Sequence, residues 1–141
     1  MRYTYPANVL QEADGITVTF PDVPEAITCG TTQAEAMERA ADALIRALAS
    51  YFGDDRATPP PSAPRERPVI GVTALEATKL ALHDAMLAAG VSNVELAHRH
   101  GLDEKAVRRL RDPLRRSDIG TLETALRALG KRVEVTVRDA A

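Results

Sequence analysis

The sequence is short of several things that would announce a function. It holds one cysteine and three histidines in 141 residues, and its formal net charge is only −2. A lone Cys29 excludes an internal disulfide and, with no ligand spacing around it, reads as a small buried residue. No apolar run is long enough to span a bilayer, and the first residues lack the charged and apolar segments of a secretory signal. A cytoplasmic location with no membrane attachment is expected. There is no glycine-rich phosphate loop and no convergent polar set for a small ligand. His98 and His100 flank Arg99 on one expected helix and point in different directions, with His83 elsewhere. They read as surface or phosphate-adjacent residues rather than as ligands of a shared metal. Neither a metal nor an organic cofactor is expected.

The small net charge hides a split. Residues 1 to 66 hold ten acids and five bases, whereas residues 67 to 141 hold ten acids and thirteen bases. An acidic half is repelled by phosphate and suits a basic partner, while a basic half suits nucleic acid.

Hydrophobic periodicity gives the first half an α+β reading. Tyr3, Tyr5, Ala7 and Val9 alternate with more polar neighbours, and Pro6 within that run favours an edge position because it lacks the ladder donor. A turn at Glu12–Gly15 leads to a second alternation, Ile16, Val18 and Phe20, so a hairpin is expected. Ala26 to Gly30 makes a short third strand. Thr32 and Glu35 have capping-box spacing, and Met37, Ala41, Leu44, Leu48 and Tyr51 form one apolar stripe on a long helix that ends at Gly53. Five prolines between Thr58 and Pro68 read as an extended linker. Val69–Val72 either closes that linker or returns to the first sheet as a strand. A boundary is expected between 1–72 and 73–141.

The second half reads as a helical domain. A second capping box, Thr73 with Glu76, opens a helix carrying Leu75, Leu82 and Met86, with Leu80 and Leu87 nearby, and stopping at Gly90. The stretch from Ser92 to Leu110 then reads as a helix-turn-helix. Ser92 and Glu95 have box spacing, Leu96 and Ala97 face inward, Gly101 permits a left-handed turn, and Leu102 is the apolar plug between the helices. Asp103 caps the second helix, whose Ala106, Val107 and Leu110 point inward. Glu104, Lys105, Arg108, Arg109 and Arg111 are expected outward, at the spacing of a helix that enters a major groove. Residues 99 to 116 carry seven bases against three acids, a density above that of an ordinary solvated helix face. Lys105 and Arg108, with Glu104, are the base-edge candidates, because arginine or lysine suits guanine and glutamate accepts from cytosine. Arg109, Arg111, Arg115 and Arg116 are the phosphate candidates. A further helix carries Leu122, Ala125, Leu126 and Leu129 and closes at Gly130. Val133, Val135 and Val137 alternate with polar residues as a terminal strand. A lone strand leaves its backbone groups unpaired, so its expected partner is its own copy in a second subunit.

The run from Phe20 to Ala36, F-P-D-V-P-E-A-I-T-C-G-T-T-Q-A-E-A, resembles the HicB antitoxins, which pair with HicA toxins. The order of elements around it is similar over nearly the whole chain, down to an A-L-G motif before the valine-rich end. The resemblance implies that the N-terminal domain is a partial ribonuclease H-like fold covering the active site of a small, basic, RNA-cleaving toxin. It implies too that the C-terminal domain forms a homodimer that represses its own operon at operator DNA, with tetramers through the N-terminal sheets as a further possibility. The turn at Gly101 fits the helix-turn-helix branch rather than the ribbon-helix-helix one. Asp14, Asp22 and Glu25, at turns beside the strands, and Glu35, Glu38 and Asp42, on the long helix, are the toxin-facing candidates. Two-metal nuclease chemistry needs clustered carboxylates. The expected strands offer threonines, valines and aromatics instead, so no catalytic residue is assigned. The alternative is a stand-alone helix-turn-helix transcriptional regulator with a ligand-sensing N-terminal domain.

Overall fold

The computed structural model describes residues 1–139. Its elements run β1 (Thr4–Pro6), β2 (Asn8–Glu12), β3 (Gly15–Thr19), β4 (Ile27–Gly30), α1 (Gln33–Gly53), β5 (Val69–Gly71), α2 (Ala74–Ala89), α3 (Asn93–His100), α4 (Glu104–Arg111) and α5 (Ile119–Ala128). The first alternating run is divided at Ala7 and changes partners there. β1 pairs antiparallel with β5 in the register Tyr5↔Ile70, while β2 pairs with β3 in the register Val9↔Val18, and β3 with β4. Pro6 ends β1, and the next amide, of Ala7, donates to the Pro68 carbonyl at 2.9 Å. The two-stranded ladder of β1 and β5 therefore tolerates the proline. Val69–Gly71 takes the strand alternative.

α1 lies on β3 and β4. Thr32 caps it by accepting from the Glu35 amide at 3.2 Å, but only half of the expected box forms. The Glu35 carboxylate accepts instead from the Thr31 amide at 3.0 Å and the Thr31 hydroxyl at 2.6 Å. The buried stripe is also rotated from the expected one. Ala36, Ala40, Leu44, Leu48 and Tyr51 are buried, whereas Met37 and Ala41 lie on its flank. The cause is close backbone contact: a Cβ on Gly30 would stand 2.7 Å from the Ala36 nitrogen. Small residues set the approach of helix to sheet, and leucines fill the gap further along. Cys29 is exposed, contrary to expectation, because alternation in β4 turns Gly30 inward and leaves Cys29 with Ile27 on the outer side.

The proline-rich stretch has no regular secondary structure, yet it is a fastened strap rather than a free linker. Prolines donate nothing, so side-chain acceptors take the donors that remain. Asp84 accepts from the amide and hydroxyl of Thr58, Asp22 accepts from the amide and hydroxyl of Ser62 at 2.9 Å each, and the Tyr5 hydroxyl donates to the Pro59 carbonyl at 2.8 Å.

α2 has the complete reciprocal box, Thr73 accepting from the Glu76 amide at 3.2 Å and Glu76 accepting from the Thr73 amide at 2.9 Å. It serves two apolar cores. Leu80 joins the core of α1 and the strands, while Leu82, Ala85 and Met86 join a second core with Leu96, Val107, Leu110, Leu122 and Leu126. α3 ends at Gly101, whose φ of +63° is the left-handed turn the glycine permits, and Asp103 caps α4 by accepting from the Ala106 amide at 2.7 Å. Ser92 accepts from the Glu95 amide, but the Glu95 carboxylate pairs with Arg99 instead of closing a box. Leu102 is not a plug. It is 37 % exposed, carried by the turn to the rim of a groove between α3, α4 and α5. Residues 131 to 139 take no regular secondary structure within the single chain. Val133 packs on the second core, while Val135 and Val137 are 67 % and 90 % exposed. Among the described residues no helix is long and apolar enough to cross a membrane.

Candidate nucleic-acid interface

α4 buries Val107 and Leu110 and leaves Glu104, Lys105, Arg108 and Arg109 at the surface, with Arg115 and Arg116 exposed in the loop that follows. Among the described residues, Lys105, Arg108, Arg109 and Arg116 have no carboxylate within 4.0 Å, so their charge is available to an outside anion. Arg115 stands 3.9 Å from Asp112, and Arg99 is paired with Glu95 at 2.8 Å.

The helix that carries these cations is held at its C-terminal end by Lys79, a fully buried residue of α2. The Lys79 ammonium donates to the carbonyls of Arg109 at 2.9 Å and Leu110 at 3.3 Å, and to the Ser117 hydroxyl at 2.6 Å. A cation on the last carbonyls is favourable both as a hydrogen-bond donor and against the helix dipole. Burial pushes the Lys79 pKa down to about 8, with Asp112 acting the other way.

Arg111 departs from the outward set. It is 6 % exposed and points inward, one turn after Val107. Its guanidinium donates to Asn93 Oδ1 at 2.6 Å, Asp55 Oδ1 at 2.9 Å and His83 Nδ1 at 2.7 Å, joining α3, the exit of α1, and α2. His83 Nε2 lies 2.7 Å from the Arg56 carbonyl, which only accepts. The ring proton therefore sits on Nε2, and Nδ1 is the acceptor for Arg111. Burial, aided by the neighbouring guanidinium, holds the His83 pKa below its ordinary value despite the bond to Arg56. Phe52 meets His83 edge to face at 5.5 Å. Arg111 is thus removed from the phosphate candidates, because its position on the helix decides its direction and its charge does not.

The acidic candidates divide. Asp14 in the hairpin turn and Glu38 on α1 are exposed, and Asp42 is an exposed partner of Arg46 at 3.1 Å. The others have work inside the fold. Asp22 holds the strap, Glu25 accepts from the Tyr51 hydroxyl at 2.9 Å, and Glu35 caps the entry to α1. Hydrogen bonds from Thr31 hold the Glu35 carboxyl below its usual range. His98 is exposed and His100 half-buried. Among the described residues no three histidine, cysteine, aspartate or glutamate side chains gather closely enough to hold a metal ion.

Sequence reasoning missed Lys79, His83, Phe52 and Asp55. A signal was present for the first two: Lys79 and His83 sit four apart within the face defined by Leu75, Leu82 and Met86, where a charged residue must find partners.

Residues 4–81 match the model of the HicB_like antitoxin of bacterial toxin-antitoxin system family. The chain is 39 % identical over 131 residues to Antitoxin HicB 2 of Photorhabdus laumondii, which covers 93 % of this chain and 94 % of that protein. It is 36 % identical over 138 residues to Antitoxin HicB of Escherichia coli K12, covering 97 % and 99 %. With Antitoxin HicB of Pseudomonas fluorescens it shares 35 % identity over 140 residues, covering 98 % and 96 %.

Proposed function

The chain belongs to the HicB-like antitoxins of bacterial toxin-antitoxin systems, and from that premise we propose that it binds two partners. One is a small, basic, RNA-cleaving toxin of the HicA kind, neutralised by a first body, residues 1–72, a partial ribonuclease H-like sheet with its long helix, residues 73–141 forming the second. The other is operator DNA of its own operon, held by α3 and α4 acting as a helix-turn-helix. Likeness to HicB antitoxins along nearly the full chain is the observation that carries this reading. The charge split supports the choice of partners. An acidic first half suits a basic toxin, and Lys105, Arg108 and Arg109 project from α4 with no carboxylate within 4.0 Å among the described residues.

In this reading the protein is a binder and not a nuclease. Strands β1 to β4 carry one carboxylate, Glu12 at the end of β2, where two-metal chemistry needs a cluster. Repression of an inverted-repeat operator calls for a homodimer, and the exposed Val135 and Val137 beside the anchored Val133 offer an alternating segment that becomes a strand on pairing with a second copy. Its place of action is the cytoplasm, where both RNA and operator are found.

Isolation of the tagged chain from its native cells at moderate salt tests this. One small basic protein, recovered in near-stoichiometric amount and cleaving RNA once released, is the expected result. A chain recovered alone that still binds its own promoter sinks the antitoxin half and favours a stand-alone regulator. One that binds neither sinks both halves.

A further inference from the structure

The helix proposed to read DNA is held partly from outside its own core, by the last turn of α1. Phe52 lies against two cations of α4: the Arg108 and Arg111 guanidiniums each lie 5.7 Å from its ring centroid. That is within reach of the attraction between a cation and an aromatic face. The opposing element, His83, meets the same ring edge to face, so the ring is fixed as well as occupied. Three residues later Asp55 gives its carboxylate to Arg111 at 2.9 Å. It does so from a backbone φ of +54°, a left-handed conformation at the end of a helix where glycine is the usual residue. An aspartate there costs some strain, and the carboxylate contact to Arg111 is what a glycine would lack.

Arg108 is one of the base-edge candidates, and it is otherwise free of ion pairs among the described residues. A long exposed arginine has many rotamers, and bidentate recognition of a guanine edge needs one. The geometry points to Phe52 as a specificity-determining positioning residue: its ring pre-orients Arg108 for base reading, with Asp55 and His83 fixing α4 beside it through Arg111. The first body thereby sets how the second reads DNA. This rests on the proposed DNA-binding role of α4.

The test uses the full chain. The wild type first selects a preferred duplex from a pool with a randomised core. Affinities for that duplex and for its single-base-pair variants are then compared. Phe52→Leu is expected to lower the preference at the base pair read by Arg108 by roughly two- to fivefold, the scale of one cation–aromatic contact. Preference at other positions stays at the wild-type ratio, and Phe52→Tyr restores the loss. A ring that only supports folding lowers the active fraction, and so weakens all duplexes equally. That outcome, or an unchanged preference in Phe52→Leu, overturns the positioning role while the DNA-binding reading stands. A wild type that selects no sequence overturns the DNA-binding reading itself, and this inference with it.

Discussion

The two cores are built from different materials. The first has sheet, long helix and all three tyrosines, and every tyrosine hydroxyl is engaged: Tyr3 with Asp84, Tyr5 with the Pro59 carbonyl, Tyr51 with Glu25. The second is aliphatic, with ten buried apolar residues, none aromatic. A core of that size, built from about 70 residues of chain, is marginal alone. The polar residues at its border explain how it persists. Lys79 closes α4 from α2, and Arg111 ties α4 to α1, α2 and α3. The second body thus draws part of its stability from α1 through Arg111, while the first leans on α2, by way of Leu80 and of Asp84, which holds Tyr3 and Thr58.

These different ties predict unequal spread of damage. Leu44→Ala and Leu122→Ala each remove a fully buried leucine, at a cost of about 2–5 kcal/mol. Near-ultraviolet dichroism of the tyrosines reports the first core and its contact with α2 through Tyr3 and Asp84, and far-ultraviolet dichroism is dominated by helices of both. Leu44→Ala is expected to lower both melting transitions, whereas Leu122→Ala lowers the helical one and leaves the tyrosine signal near wild type. Coincident shifts in both variants would make the chain one cooperative unit and end the comparison.

The seam itself is tested by two arginines two residues apart. Arg111→Ala strands His83 Nδ1 and Asn93 and removes the partner of Asp55, and is expected to cost about 2–3 kcal/mol. The figure stays below that of a fully buried pair because the Asp55 side chain is 72 % exposed. Arg109→Ala, at the surface, should stay within about 0.5 kcal/mol of wild type in urea unfolding. Equal losses would mean that the seam contributes no more than a surface charge does.

Much of the fold was legible because local chemistry and tertiary packing agree. The hairpin, the Thr73 box and the Gly101 turn each follow from a few adjacent residues. Failures came where a distant partner decides. Arg111 was assigned by charge to the outer face, although the spacing from Val107 puts it inside, and its acceptors come from three other elements. The proline strap reads as loose because its anchors, Asp22 and Asp84, are 40 and 26 residues from the groups they hold. In the candidate interface Lys105, Arg108, Arg109, Arg115 and Arg116 were readable as surface cations, whereas Phe52 gave no sign that it lies against two of the arginines of α4.

The mildest probe of the seam is acid. His83 is neutral in the fold, with its pKa held below the ordinary 6.5 by burial and by Arg111. In the unfolded chain it titrates at that ordinary value, so below about pH 6.5 the unfolded state binds a proton that the folded state refuses. Stability from this group is therefore complete above that pH and is lost as pH falls through the folded pKa. The useful quantity is the difference between two chains that differ only at this position. A glutamine at this position accepts from Arg111 and donates to Arg56 without titrating. Wild type and His83→Gln should run parallel in urea midpoint above pH 7 and converge or cross toward pH 5, because only the wild type loses its acceptor. A constant offset across that range would mean that His83 takes up its proton as readily in the fold as in the unfolded chain. Nδ1 could then no longer accept, and the seam would have to be held by Asp55 and Asn93 without it.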